Sequence, residues 1–187
     1  MQALDLLIAD HNRVRGLFAR FKEAHEAEDT TAMVECAGKI MDDLVVHTTI
    51  EEEIFYPAVR DDTAELGEVV DEGIQEHHVA KTLMEELGQV EPGGEEWVAK
   101  VMVLIENVEH HAEEEEKEMF PPLRKEADKM EQLAVQLEAR KKELGAPVLE
   151  DKIDLTKEEL MELAKEQQIP GRSSMSQEEL AATVAPA

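Results

Sequence analysis

The stretch LVVHTTIEEEIFYP at residues 44–57 returns, altered but recognisable, as VEHHAEEEEKEMFP at residues 108–121. Aligned on Pro57 and Pro121, the copies match His47 with His111, Glu51 with Glu115 and Glu52 with Glu116. On an α-helix, residues four apart differ by about 40° and lie about 6 Å from each other. His47 and Glu51 therefore share a face, as do His111 and Glu115. Apolar neighbours at helical spacing, Ile40, Leu44 and Ile54 in one copy and Leu104, Val108 and Met119 in the other, turn that face toward a core. A carboxylate buried without a partner protonates instead of staying charged. Two such carboxylates, each beside an imidazole, point to a shared cation.

The repeat reaches further. Asp10-His11 precedes His47 by nearly the same interval as Glu76-His77 precedes His111. The unit is an acid-His helix followed by a His-x-x-x-Glu helix, used twice. His11 belongs to an apolar stripe with Leu4, Leu7, Val14, Phe18 and Phe21, and His77 to one with Val70, Ile74, Lys81, Met84 and Leu87. Four helical stripes joined by short connections predict an all-α fold, an up-down four-helix bundle with a two-fold pseudosymmetric interior. Pro57 and Pro121-Pro122 mark breaks or kinks near the ends of the second and fourth helices. A fifth helix is expected over about Leu123 to Leu144, closed by Gly145-Ala146-Pro147. Residues 1–145 form the bundle and this fifth helix. Residues 148–187 form a small helix-loop-helix unit, with helices opening near Asp154 and Ser176.

Composition agrees with a helical core filled by Leu, Val, Ile, Ala and Met: of 187 residues, 42% are hydrophobic but only 3% are Phe, Trp or Tyr. The formal net charge of −26 repels phosphate backbones and anionic membranes, so neither nucleic acid nor membrane is an expected partner. The single cysteine, Cys36, permits no intramolecular disulfide. With no signal-peptide pattern and no membrane-length apolar run, the expected location is cytoplasmic.

Imidazole with carboxylate suits iron, manganese or zinc. Four imidazoles from His11, His47, His77 and His111, two bridging carboxylates from Glu51 and Glu115, and an oxo or hydroxo bridge nearly fill two six-coordinate ions. About two positions then remain for water or substrate, which favours a reactive di-iron centre over a closed four-coordinate zinc site. His78 and His110 sit about 100° from their neighbouring stripe histidines. Glu52 and Glu116 are expected to be solvated, and Tyr56, the sole tyrosine, lies close enough to touch the site.

Residues 1–123 resemble the hemerythrin-like, or HHE cation-binding, family, on the residues DH at 10–11, HTTIEEEIFYP at 47–57, EH at 76–77 and HAEEEEKEMFP at 111–121. The resemblance implies a non-haem di-iron site ligated by His11, His47, Glu51, His77, His111 and Glu115. Oxygen carriers of the family have a second histidine four residues after the third-helix one. Here that position is Lys81. A site richer in carboxylate and poorer in imidazole stabilises ferric iron and favours redox chemistry over reversible oxygen storage.

The expected function is therefore catalase-like dismutation of hydrogen peroxide, with Glu51 and Glu115 as catalytic proton carriers. The alternative is a module that binds or senses iron, oxygen or nitric oxide, followed by repair of iron centres. The segment LTKEELMELAKEQQIPGRSSMSQEEL resembles the SAP-like N-terminal subdomain of transcription terminator Rho, a type of unit that often binds nucleic acid. Here Lys152, Lys157, Lys165 and Arg172 face nine acidic residues between positions 150 and 187, so a protein partner is the stronger expectation.

Overall fold

The structure, a computed structural model, describes residues 2–145 and residues 160, 161, 164, 165 and 172. Every regular element among them is helical. Helix α1 spans Ala3–Glu26 and α2 spans Thr30–Ile50, the latter running on through a π-helical turn at Glu51–Phe55 to Tyr56–Val59. Helix α3 spans Ala64–Leu87. Helix α4 spans Glu95–Glu114 and likewise runs on, through a π turn at Glu115–Met119, to Phe120–Leu123. Helix α5 spans Ala127–Glu143. The expected fifth helix thus starts later, because Leu123 closes α4 and a turn intervenes.

Local chemistry sets these limits. The Asp29 side chain accepts a hydrogen bond from the Ala32 amide at 3.0 Å, and Thr63 Oγ1 one from the Leu66 amide at 3.2 Å, which satisfies first-turn donors of α2 and α3. Gly93, at φ 80°, passes so close to α2 that a Cβ there would lie 2.3 Å from Thr30 Cγ2. Only glycine lets the α3–α4 connection turn at that point.

Cross-helix pairs show the up-down order. Arg13 meets Asp43 while Asp10 faces His47, so α1 and α2 run antiparallel. Glu86 meets Lys100 while Glu76 meets His111, so α3 and α4 do too. Helix α5 packs against α1, α2 and the first π turn.

The core falls into two apolar clusters. One holds Leu7, Phe55, Val70, Phe120 and, from α5, Met130 and Leu137; the other holds Phe18, Phe21, Ile40, Leu44, Trp97 and Leu104. Between them lies a layer of buried polar groups: His11, His47, Glu51, His77, His111 and Glu115.

The two π turns are not evident from the hydrophobic spacing. Pro57 and Pro121 each lack an N–H, and each ring would collide with the carbonyl four residues back. The helices widen instead of breaking: the Tyr56 amide bonds to the Glu51 carbonyl and the Phe120 amide to the Glu115 carbonyl, five residues back. The extra residue shifts the register, so Phe55 and Tyr56 take the core positions and Ile54 is only half-buried.

The chain divides into two compact units, Met1–Leu144 and Gly145–Ala187. In the second, Leu160, Met161, Ala164 and Lys165 are helical. The helix opening near Ser176 and most of the Rho-like segment lie outside the described residues. Among the described residues no helix is long and apolar enough to cross a membrane.

Candidate metal centre

The structure brings all six predicted side chains into one buried layer. His11, His47, Glu51 and Glu115 form one group that could hold an ion, and Glu51, His77 and His111 form another, so Glu51 belongs to both. Glu51 Oε2 lies 3.2 Å from His47 Nε2 and 3.3 Å from His77 Nε2. Glu115 Oε2 lies 3.2 Å from His11 Nε2 and 3.7 Å from His111 Nε2. Each carboxylate thus stands between one histidine of each half.

Outside this layer, each imidazole has an acidic partner on its other nitrogen. His11 Nδ1 lies 2.9 Å from Glu116, His77 Nδ1 2.9 Å from Glu52 and His111 Nδ1 2.7 Å from Glu76. His47 Nδ1 faces Asp10 at 3.6 Å. An ionised carboxylate only accepts hydrogen bonds, so the bonded Nδ1 atoms of His11, His77 and His111 donate, and in the neutral ring each of their Nε2 atoms carries the lone pair and points inward. Glu52 and Glu116 are therefore not simply solvated. They fix ring orientation by hydrogen bonds, as does Glu76, whereas Asp10 faces His47 as an ion-pair partner. The pattern had a signal in the sequence: every one of these acids is the immediate neighbour of a stripe His or Glu.

Three of these outer acids carry a fixed cation as well. Arg15 donates to Glu116 at 2.8 Å, Lys81 to both oxygens of Glu52 at 2.7 Å, and Lys141 to Asp10. Arg15 and Lys81 each stand four residues after a site histidine, on the same face. Lys81, the departure from the oxygen carriers, is thus turned to Glu52.

Tyr56 and Phe120 break the pseudosymmetry. Tyr56 stacks on His77 with ring centroids 5.5 Å apart, and Phe120 on His11 at 6.0 Å. Only Tyr56 has a hydroxyl, which donates to Glu115 Oε1 at 2.9 Å and lies 3.5 Å from the Nε2 atoms of both His77 and His111. Space for it comes from Gly73: a Cβ there would meet the Tyr56 hydroxyl at 3.0 Å and His111 Cε1 at 3.3 Å. His78, His110 and His25 are exposed.

Electrostatics and unmet polar atoms both call for a cation. Burial alone would push the His11 imidazole down, yet Glu115 and Glu116 outweigh it and hold it at about 9. Burial would raise Glu51, but His47, His111 and His77 keep it well below the usual carboxylate range. Glu52 is held at about 2, chiefly by His77, with Lys81 assisting. Burial, with Glu115 and Glu51, keeps Tyr56 well above its ordinary value. The pocket thus stabilises positive charge beside its two buried carboxylates. Among the buried atoms with no hydrogen-bond partner are His11 Nε2, both His47 nitrogens, both Glu51 oxygens and Glu115 Oε2. Unpaired buried acceptors are costly, and His77 Nε2 and His111 Nε2 face each other at 3.0 Å. Metal coordination answers the inward-facing atoms at once, so the donor set fits metal ions.

The sequence pattern of the Hemerythrin HHE cation binding domain matches residues 2–123. The chain belongs to the hemerythrin HHE family. Within this hemerythrin-like chain the matched segment contains all six central residues and ends before α5. The chain is also 30% identical, over 151 residues, to a DNA nickase of Nostoc sp.; the alignment takes in 77% of this chain and 40% of that relative. The chain thus spans well under half of the relative's length. No solved structure gives a significant match.

Proposed function

We propose that this hemerythrin-like protein holds two iron ions bridged by Glu51 and Glu115, with His11 and His47 on one and His77 and His111 on the other, and that it disproportionates hydrogen peroxide. The observation that carries the reading is the inward convergence of buried, unpartnered donor atoms on two groups that share Glu51. Iron, when bound, supplies Lewis acidity and the exchange of electrons between two peroxide molecules.

The chain's own groups handle the rest. Two peroxides become dioxygen and two waters, so protons must leave one peroxide and reach the oxygens of the other. Glu115 is placed for this, since its Oε1 already accepts the Tyr56 O–H at 2.9 Å. Glu51, with no hydrogen-bond donor on either oxygen, acts as the shared ligand. Phe55 and Phe120, both fully buried, keep bulk water from the layer. The outer acids hold each imidazole with its Nε2 directed inward.

Iron-loaded protein should evolve oxygen from peroxide, and His47→Ala should not. Iron-loaded wild type that evolves none would overturn the catalytic reading and favour oxygen or nitric oxide binding, which spectra of the reduced protein with each gas would show.

The likeness to the Nostoc DNA nickase favours a second reading, scission of a phosphodiester at the same centre. A net charge of −26 opposes the approach of DNA. Conversion of supercoiled plasmid to open circles by the iron-loaded protein, lost in His47→Ala, would establish this reading instead.

A further inference from the structure

The four outer acids are not held alike. Glu116 and Glu52 take their cations from within the repeat, each from the opposite half: Arg15, four residues after His11, and Lys81, four residues after His77. Asp10 and Glu76 occupy equivalent places before the first and third histidines but have no such internal cation. Beyond His111, Glu76 faces His110, at 3.8 Å and largely exposed. The residue matching His110 beside Asp10 is Val46, which offers no donor. At this corner the cation comes from α5, beyond the family segment at 2–123: Lys141 donates to Asp10 Oδ1, while Asp10 Oδ2 faces His47 Nδ1.

Geometry makes that contact consequential. Asp10 is largely buried, and its Oδ2 has no hydrogen-bond donor. Asp43, paired with Arg13 at 2.6 Å, adds negative charge nearby. Lys141 is the lysine donor that holds the Asp10 carboxylate against both the repulsion and the pull of solvent. The preceding residue, Arg140, clamps the same turn of α5 to Glu53 in the first π turn at 2.7 and 3.1 Å. The last turn of α5 therefore grips α1 and α2 on either side of His47.

We propose that Lys141 is a positioning residue for the metal centre, fixing Asp10 so that His47 keeps its Nε2 directed at Glu51. The inference rests on the reading that His47 binds metal. It makes one corner of the site depend on a helix outside the family segment.

The test compares iron retention and the visible spectrum of full-length, iron-loaded protein under a fixed chelator concentration. Lys141→Met keeps the apolar stem but removes the charge. It should release iron about tenfold more readily, the low end of the loss seen when an outer partner of a ligating histidine is removed. It should also alter the absorption of the remaining centre. Asp10→Asn should do the same, the double variant should be no worse than either single one, and Lys141→Arg should restore retention. Arg140→Ala serves as the structural control: it should lower the melting temperature and leave the spectrum unchanged. Lys141→Met with wild-type retention and spectrum overturns the inference, as does a change reproduced in full by Arg140→Ala. Wild-type protein that takes up no iron removes the function proposed above, and this inference with it.

Discussion

Tyr56 and Phe120 stand at matching places in the two halves of the repeat, each stacked on a histidine of the central layer, and they differ by one oxygen atom. That atom reaches Glu115 at 2.9 Å and approaches His77 and His111 equally, at 3.5 Å. The two groups that could hold an ion are therefore chemically unequal although their histidines are related by pseudosymmetry.

Tyr56→Phe makes the halves alike. The ring still fills its place, so the protein should fold with a loss of about 1 kcal/mol for the missing hydrogen bond. Iron content should hold, while peroxide turnover falls by about a hundredfold as Glu115 loses its proton partner. Thermal melts, metal analysis and oxygen-electrode rates read the three quantities separately. Turnover equal to wild type would rule out a proton role for the Tyr56–Glu115 pair.

Gly73→Ala tests the same hydroxyl from the opposite side. Alanine is the better helix former by about 1 kcal/mol. Its Cβ would stand 3.0 Å from the Tyr56 oxygen and 3.3 Å from His111 Cε1, so crowding of about 1–3 kcal/mol opposes the gain. The expected outcome is a modest change in melting temperature with a clear change in the visible spectrum of the iron-loaded protein. A variant whose spectrum and turnover match wild type would show that the site has room there.

Glu52→Gln and Glu116→Gln should each weaken iron binding by about 10–100-fold without unfolding the bundle. Glutamine removes the Glu116 carboxylate from Arg15 and the Glu52 carboxylate from Lys81, and gives the His11 and His77 N–H groups a weaker acceptor. Chelator competition checks this. Glu113→Gln, on the exposed face beside Lys117, should have no effect on iron.

Truncation after Gly145 retains all five helices of the first unit, Lys141 included. Iron content and peroxide reactivity are expected to stay near wild type. The excess of acid over base in residues 148–187 predicts no measurable DNA or RNA affinity near physiological salt and leaves a protein as the partner proposed for that unit. Electrophoretic shifts with the full chain, and metal analysis of the truncated one, check the two halves of this expectation.

Much of this architecture was legible in the sequence because the signals were local. A histidine and a glutamate four apart on an apolar stripe must share a buried face, and the duplicate copy multiplies the information. The π turns escaped that reading because a one-residue insertion hides inside an otherwise helical pattern. Pro57 and Pro121 signal a disturbance but not its form. Glu52 and Glu116 read as solvated because their partners lie on other helices: His77 on α3 and His11 on α1. The contact between Lys141 and Asp10 depends on where α5 lands, which no spacing within α5 encodes.

Metal analysis of the wild-type protein, produced with ample iron and paired with Glu51→Ala, tests the central claim most directly. Glu51 is the residue common to the two buried groups that could hold an ion. The account predicts about two irons per chain in wild type, as in carboxylate-bridged bundle sites, and loss of both in the variant. One zinc per chain, or two irons kept without Glu51, would contradict it.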